Sequence, residues 1–268
     1  MNPDRGLVDF VCGSIVRTTV LGALADEPRG TDALLGAVDA SESAVYDAVA
    51  ALEREGLVRQ ADREAWEPTG TGIAVHAVMQ VRDDVEALIE TDPSYWHHHD
   101  LAVLPDPFRT RVQELVGAEV VRATDTDPNR VVRMVGEGIE RAEDLLIIAP
   151  VYHERYETAL KEVVAHVDPR IIVDKRTVRD RLSGELTDEP PGFEVEARVT
   201  DIDIALGVTH DTLFLSLPTL DGSYDARAEV VARTDDALRW GRQLFEHCWN
   251  RATPAEEFLN DQPDLALE

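Results

Sequence analysis

The chain is poor in lysine, in cysteine and in long apolar runs, and each shortage excludes a class of protein. Only Lys161 and Lys175 are lysines among its 26 basic residues. Cys12 and Cys248 lie in amphipathic helical patterns, so we expect two small buried side chains rather than a disulfide scaffold. No run of about 18 apolar residues could span a membrane, and the N-terminus lacks a signal-peptide layout. We therefore expect a cytoplasmic protein without a membrane partner.

Acidic residues outnumber basic ones by 53 to 26, which gives a formal net charge of −27. An acidic surface that nearly lacks lysine is typical of proteins from extreme halophiles. In concentrated salt the Debye length falls to about 3 Å or less, so the long-range repulsion between this chain and a polyanion such as DNA is largely screened. The affinity gained from counterion release is lost as well. The charge thus indicates a halophilic habitat and does not exclude DNA as a partner.

The first 70 residues have the pattern of three helices followed by a β-hairpin. Apolar residues over 6–25 recur at near-helical spacing and predict one helix, and a short second helix follows from Thr31. The third is predicted to start at Ser41, a capping residue, and it places four apolar residues at i, i+3, i+4 and i+7: Val45, Ala48, Val49 and Leu52. Gly56 ends it, and LVRQ and AWEP predict two short strands around a polar turn. This order predicts a winged helix-turn-helix domain over residues 1–70.

The opposite face of the third helix has the right width to enter the major groove of double-stranded DNA. Arginines on or near the predicted wing add possible phosphate contacts. The candidate DNA-binding residues are Arg29, Ser41, Ser43, Tyr46, Asp47, Ala50, Arg54, Arg59 and Arg63. Glu42 and Asp47 count against DNA, because carboxylates repel phosphates at short range, although an Asp can accept a hydrogen bond from cytosine. They leave open a protein-interaction or scaffold module that does not bind DNA.

In the second half, predicted strands and helices alternate and an antiparallel run follows. Residues 71–112 are predicted to form a linker helix and a connector, 113–252 a mixed α/β domain, and 253–268 a frayed acidic tail. The predicted strands are 144–150, 170–174, 193–199, 204–210, 212–218 and 228–234, and the predicted helices are 128–142, 152–167, 175–183 and 235–250. The fold class is therefore α+β, with an N-terminal winged helix and a C-terminal sheet flanked by helices.

Ligands of such sheets tend to bind beyond the carboxyl ends of the strands. This rule selects Tyr152 and His153 after one strand, and Asp174, Lys175 and Arg176 after the next, as candidate ligand-binding residues. The Lys175–Arg176 pair is a candidate site for an anionic group, and a solvated helix start is the alternative.

No metal, cofactor or catalytic site is predicted. The three adjacent residues His97, His98 and His99 cannot all face one ion, and packing in the connector is the simpler interpretation. The chain has no P-loop, nucleophile elbow or HExxH motif. A phospholipase-D-like hydrolase would need a His-x-Lys pair, and neither lysine follows a histidine in that way. We therefore expect no enzymatic activity.

Two stretches carry a resemblance to a known family. SESAVYDAVAALEREGLV and its wing resemble the winged helices of archaeal transcriptional regulators of the MarR, ArsR and TrmB kind, although Asp47 stands where many of these have a basic residue. The turn and closing helix in LPTLDGSYDARAEVVARTDDALRWGRQLFEHCW are similar to the end of the sensor domain in FilR-type regulators. The resemblance implies a transcriptional regulator with an N-terminal DNA-binding domain and a C-terminal domain that senses a ligand or makes oligomer contacts. We therefore expect a homodimer that binds double-stranded DNA and responds to a small-molecule effector.

Overall fold

The computed structural model describes residues 6–62, 65–183 and 195–261, and the chain divides into two compact units, Met1–Asp84 and Val85–Glu268. The predicted contact residue Arg63 lies outside the described residues. Helix and strand are mixed in the chain, so the α+β class is confirmed.

Two helices, α1 (Leu7–Cys12) and α2 (Ile15–Asp26), stand where the sequence predicted one helix over 6–25. Helix α1 ends at Gly13, and Ser14 is extended and accepts a hydrogen bond from the backbone N–H of Arg17. The single-helix prediction was wrong because this cap starts a new helix while the apolar periodicity continues across the break.

The rest of the first unit builds a three-stranded antiparallel sheet against these helices. The elements are β1 (Arg29–Gly30), α3 (Thr31–Ala37), α4 (Glu42–Arg54), β2 (Val58–Asp62), β3 (Ala65–Pro68) and the first part of α5 (Gly70–Thr91), whose last residues belong to the second unit. The strand order is β1-β3-β2. The predicted apolar stripe of α4 is confirmed, since Val45, Ala48, Val49 and Leu52 are all buried. They share one core with Leu21 and Leu24 of α2.

The predicted connector before residue 113 packs into the core of the second unit, and it contains short helices that the sequence analysis did not predict. It contains α6 (Pro93–His98), α7 (Asp106–Arg109) and short 3₁₀ turns at Leu101–Val103 and Val112–Leu115. Tyr95 is fully buried, and its hydroxyl accepts a hydrogen bond from the backbone N–H of Leu217 at 3.1 Å. The carbonyl of Phe108 likewise accepts from the Trp240 indole at 3.2 Å. The apolar residues of this segment have no helical or strand period, so the pattern did not predict its short helices.

An eight-stranded mixed sheet forms the centre of the second unit. Its strand order is β11-β7-β6-β5-β8-β9-β10-β4, with β5, β6 and β7 parallel and the other pairs antiparallel. The strands are β4 (Glu119–Arg122), β5 (Leu146–Ala149), β6 (Arg170–Asp174), β7 (Glu196–Thr200), β8 (Ala205–Val208), β9 (Leu213–Ser216), β10 (Ala228–Ala232) and β11 (Thr253–Pro254). The helices are α8 (Arg130–Glu140), α9 (Glu154–Val163), α10 (Lys175–Leu182), α11 (Asp235–Trp249) and α12 (Ala255–Asn260). The predicted mixed sheet is confirmed.

Successive strand residues point to opposite faces of this sheet, and different helices cover the two faces. Ile148 faces the core that contains α11, whereas Ile147 faces the core beneath α8 and α9. The prediction of a frayed tail was wrong over residues 253–261. Ala255 and Phe258 of α12 are buried against Val199 of β7, and this apolar contact orders the segment. Residues 262–268 lie outside the described part of the chain.

Candidate functional site

The protein has two candidate functional sites, and the first is the solvent-exposed face of α4. Ser41 caps the helix by accepting a hydrogen bond from the backbone N–H of Ala44 at 3.3 Å. Tyr46 is 48% exposed, which is unusual for an aromatic side chain. The predicted contact residues of this helix are all solvent-facing: Ser41, Ser43, Tyr46, Asp47, Ala50 and Arg54. The structure therefore brings them together on one accessible face.

The end of α4 fixes the direction of the hairpin that follows. Gly56 has a φ of +73°, and the backbone N–H of Leu57 donates to the carbonyl of Leu52 at 2.9 Å, which is the Schellman arrangement of a helix end. The Thr69 hydroxyl then donates to the carbonyl of Gly56 at 2.6 Å and accepts from the backbone N–H of Gly72 at 3.1 Å. A Cβ on Gly72 would overlap the carbonyl of Leu57. The starts of the hairpin and of α5 are thus held in direct backbone contact.

The predicted arginines near the hairpin differ in what they contact. Arg59 of β2 is 70% exposed and forms an ion pair with Glu67 of β3 at 2.5 Å. Arg29 of β1 pairs with Glu27 at 3.2 Å, and its buried Nε has no hydrogen-bond partner. Among exposed charged residues of α4, Arg54 is accompanied by three carboxylates, from Glu42, Asp47 and Glu53. The surface is acidic, so any DNA contact here depends on short-range hydrogen bonds and high salt.

The second surface is a cavity of about 630 Å³ on the α8 and α9 side of the eight-stranded sheet. Its wall is mostly apolar, with side chains from both helices and from β5, β6, β8 and β9. The volume is within the range of small-molecule pockets. Two of the predicted ligand-binding residues, Tyr152 and His153, line it beyond the carboxyl end of β5.

Tyr152 and His153 are tied to neighbouring groups at this cavity. The Tyr152 hydroxyl donates to Glu157 Oε2 at 2.6 Å, and this bond raises the pKa of Tyr152 to about 12. Arg181 donates to the other oxygen of Glu157 at 3.1 Å. His153 caps α9, with Nδ1 accepting from the backbone N–H of Arg155 at 3.1 Å. Glu157 is therefore already neutralised by its neighbours.

The other three predicted ligand-binding residues, Asp174, Lys175 and Arg176, do not line the cavity. Asp174 is fully buried and caps α10, where it accepts hydrogen bonds from the backbone and the guanidinium of Arg176. Lys175 pairs with Asp201 at 2.8 Å, and Arg176 pairs with Asp203 at 2.7 Å. Each cation has a carboxylate partner, so this helix start is not prepared to bind an added anion.

Glu229 of β10 lines the same cavity, and the sequence interpretation missed it. Glu229 is only 4% exposed, and none of the described residues hydrogen-bonds to its carboxyl group. Burial, with a smaller contribution from the negative charge of Asp225, raises the pKa of Glu229 to about 8. The available signal was a single Glu inside an otherwise apolar predicted strand, AEVVA.

The histidine run is part of the fold of the second unit. His99 is buried, stacks on Tyr95 with ring centroids 3.8 Å apart, and places Nε2 3.1 Å from Asp225. His98 Nδ1 contacts the carbonyl of Ser94 at 2.7 Å. Within residues 6–62, 65–183 and 195–261, no three His, Cys, Asp or Glu side chains are grouped to hold a metal ion. In the same ranges, every helix is too short or too polar to cross a bilayer.

Part of the chain is similar in sequence to a family of regulatory proteins. Residues 128–251 match the family model of the FilR1 middle domain, from the methanogenesis regulatory protein FilR1. The chain is 25% identical over 207 residues to the methanogenesis regulatory protein FilR1 of Methanothrix harundinacea (strain 6Ac). That match covers 69% of this chain and 43% of the relative, so the chain spans less than half of the relative's length.

Two solved structures are similar at low TM-score. TrmBL2, an archaeal chromatin protein, gives a TM-score of 0.38 at 14% identity and covers 93% of this chain and 98% of its own. Nuc, a phospholipase D family member from Salmonella typhimurium, gives 0.38 at 11% identity over 51% of this chain and 96% of its own. The sequence matches confirm the resemblance to FilR-type regulators over the second unit, and they relate the chain to an archaeal regulatory protein.

Proposed function

We propose that this protein is a sequence-specific DNA-binding transcriptional regulator. In this proposal the first unit is a winged helix-turn-helix, α4 is its recognition helix, and the β2–β3 hairpin is its wing. The observation that carries the proposal is the accessible face of α4, where Ser43, Tyr46 and Arg54 are exposed beside the hairpin. The similarity of residues 128–251 to a domain of a regulatory protein supports it.

In this arrangement the short polar side chains near the start of α4 would reach base edges, and the arginines would contact phosphates. The acidic composition favours action in molar salt, as expected of a halophilic protein, where screening removes the long-range repulsion. The second unit is proposed to be a sensor whose cavity binds an effector, which would alter the affinity of the first unit for DNA.

Selection of bound genomic fragments in molar KCl tests the proposal directly. We expect enrichment of one sequence motif, and we expect Arg54→Ala to weaken its binding about tenfold or more, because a lost direct contact costs about 1–3 kcal/mol. Arg239→Ala is the matched control, since Arg239 is an exposed, ion-paired arginine on α11 of the second unit. No enriched motif, or equal effects of both substitutions, would contradict the proposal.

A second candidate function is a protein-interaction or scaffold module that does not bind DNA. Glu42, Asp47 and Glu53 on the exposed face of α4 favour it. Asp47→Lys separates the two functions. If α4 docks on phosphates, the added positive charge would strengthen binding to DNA fragments. If the protein does not bind DNA, the variant would show no measurable binding either.

We further propose that the protein is a homodimer. On α5, Ile73, Val78 and Val81 are 56%, 52% and 43% exposed, which leaves apolar side chains of the first unit in water. Contact with the same helix of a second copy would bury them. Light scattering in molar KCl should give twice the mass of 29.7 kDa, and Val81→Glu should shift the mass towards that of the monomer. A monomeric wild-type protein at micromolar concentration would exclude the dimer.

A further inference from the structure

The cavity of the second unit contains one carboxyl group that the fold does not satisfy. Glu229 is only 4% exposed, and it lines the cavity. A buried polar group without a hydrogen-bond partner is costly, and such groups in native proteins commonly mark a functional role. The other residues of strand AEVVA are apolar, and an apolar side chain at position 229 would suit the strand equally well. The fold alone therefore does not explain why a carboxylate stands there.

The charges around the cavity determine which ligand would suit Glu229. The cationic groups in the lining, Lys161 and Arg181, both contact Glu157, at 3.6 Å and 3.1 Å. The charged group that acts most on Glu229 is Asp225, which is also negative. Around Glu229 itself, the negative charge of Asp225 favours a cation over a second anion, whereas Arg181 at Glu157 keeps a buried Nε without a hydrogen-bond partner.

Aromatic and apolar groups surround the rest of the space. Tyr156 and Tyr224 both line the cavity and both interact electrostatically with Glu229, whose negative charge adds to the effect of burial in raising their pKa values. Tyrosine rings attract cations through their faces, and the remaining lining from Ile147, Val173 and Phe214 suits an apolar body.

We propose that this cavity binds a small, largely apolar molecule that carries one protonated amine, with the ammonium group against Glu229 and the rings of Tyr156 and Tyr224 beside it. This inference rests on the proposed function only in that the ligand would then be the effector of a DNA-binding regulator. The binding itself is a property of the second unit and can be measured without DNA.

Isothermal titration of the full chain in molar KCl with three matched probes tests this. Tryptamine, tryptophol and indoleacetate share an indole body and end in an ammonium, a hydroxyl and a carboxylate. We expect tryptamine to bind at least about tenfold more tightly than tryptophol, and indoleacetate to bind most weakly. In Glu229→Gln the preference for tryptamine over tryptophol should disappear, whereas Glu119→Gln, which removes an exposed carboxylate of β4 away from the cavity, should retain it.

The pH dependence provides a readout that a purely structural role of Glu229 would not change. Tryptamine stays protonated between pH 6 and 8, whereas Glu229 must ionise to pair with it. Binding should therefore strengthen with pH by up to about tenfold per unit and release about one proton, seen as a dependence of the heat on the buffer. Asp225, Tyr95, Tyr156 and Tyr224 are the other titratable groups around Glu229, and the tyrosines remain neutral in this range because their pKa values are raised.

Equal affinity for the three probes, tightest binding of indoleacetate, or no tryptamine binding at millimolar concentration would each overturn the inference. So would an unchanged preference in Glu229→Gln. If Glu229→Gln folds poorly, the pH dependence of tryptamine binding to the wild-type protein decides the question, and affinity that does not change between pH 6 and 8 would overturn the inference. Probe binding without DNA binding would remove the proposed regulator function alone, and DNA binding without a tryptamine preference would remove this inference alone.

Discussion

Replacement of Glu229 by Gln should raise the stability of the second unit at neutral and alkaline pH. An ordinary glutamate titrates near 4.5, and burial raises the pKa of Glu229 to about 8. Between these values the unfolded chain releases a proton that the folded chain retains. The free energy of unfolding therefore falls as pH rises, by about 1.4 kcal/mol per pH unit. Gln has nearly the same shape and cannot ionise, so the substitution removes this slope.

The full interval from 4.5 to about 8 corresponds to at most about 5 kcal/mol. A domain of this size changes its melting temperature by about 2–4 °C per kcal/mol. We expect the variant and the wild type to melt at similar temperatures at pH 5. At pH 8 we expect the variant to melt about 10 °C higher.

Differential scanning calorimetry at unit pH steps in molar KCl measures this difference. The exposed control Glu119→Gln should follow the wild type at every pH, because its carboxylate has solvent and Arg233 as neighbours. Parallel melting curves for the wild type and Glu229→Gln across pH 5 to 8 would refute the reasoning, because Glu229 would then ionise as readily in the folded state as in the unfolded chain.

Three glycine-to-alanine substitutions, one of them a control, test the backbone conformation and the packing. Gly56→Ala should destabilise the first unit by about 1 kcal/mol, because Gly56 has φ +73°, whereas Gly36→Ala in α3, where no atom lies within 4 Å of the new Cβ, should be neutral or stabilising in urea titrations. A Gly56→Ala variant as stable as Gly36→Ala would show that the turn is not under conformational constraint. Gly241→Ala should destabilise the second unit by about 1–3 kcal/mol in the same titration, because the new methyl group would overlap Leu213 and press on Val208. A neutral result would mean that α11 can move away from the sheet.

Regular periodicity made the first unit largely predictable. The i, i+3, i+4, i+7 stripe of α4 and the cap at Ser41 specify a helix locally, and the structure has that helix with the expected face buried. The break at Gly13 was not predictable from periodicity, because the apolar positions of α1 and α2 continue the same pattern. A capping residue starts a helix through one local hydrogen bond, and it leaves the spacing of the apolar residues unchanged.

The second unit was less predictable, because several of its elements form through contact with residues that lie far along the chain. Strand β4 exists through pairing with β10, far along the chain, and β11 has two residues that pair with β7. Phe108 and Tyr95 are buried by α11 and the sheet rather than by a local period. The cavity depends on side chains from α9, β5 and β10 together, so Tyr152 could be placed there by a rule about strand ends and Glu229 could not.

The contact between Gly72 and Leu57 has a mechanical consequence within the first unit. The start of α5 and the start of the hairpin touch through backbone atoms, and Thr69 bridges them to the end of α4. The first turn of α5, the start of the hairpin and the last turn of α4 are therefore joined by backbone contact and by the Thr69 side chain, so we expect a rotation of that first turn to displace the hairpin as well.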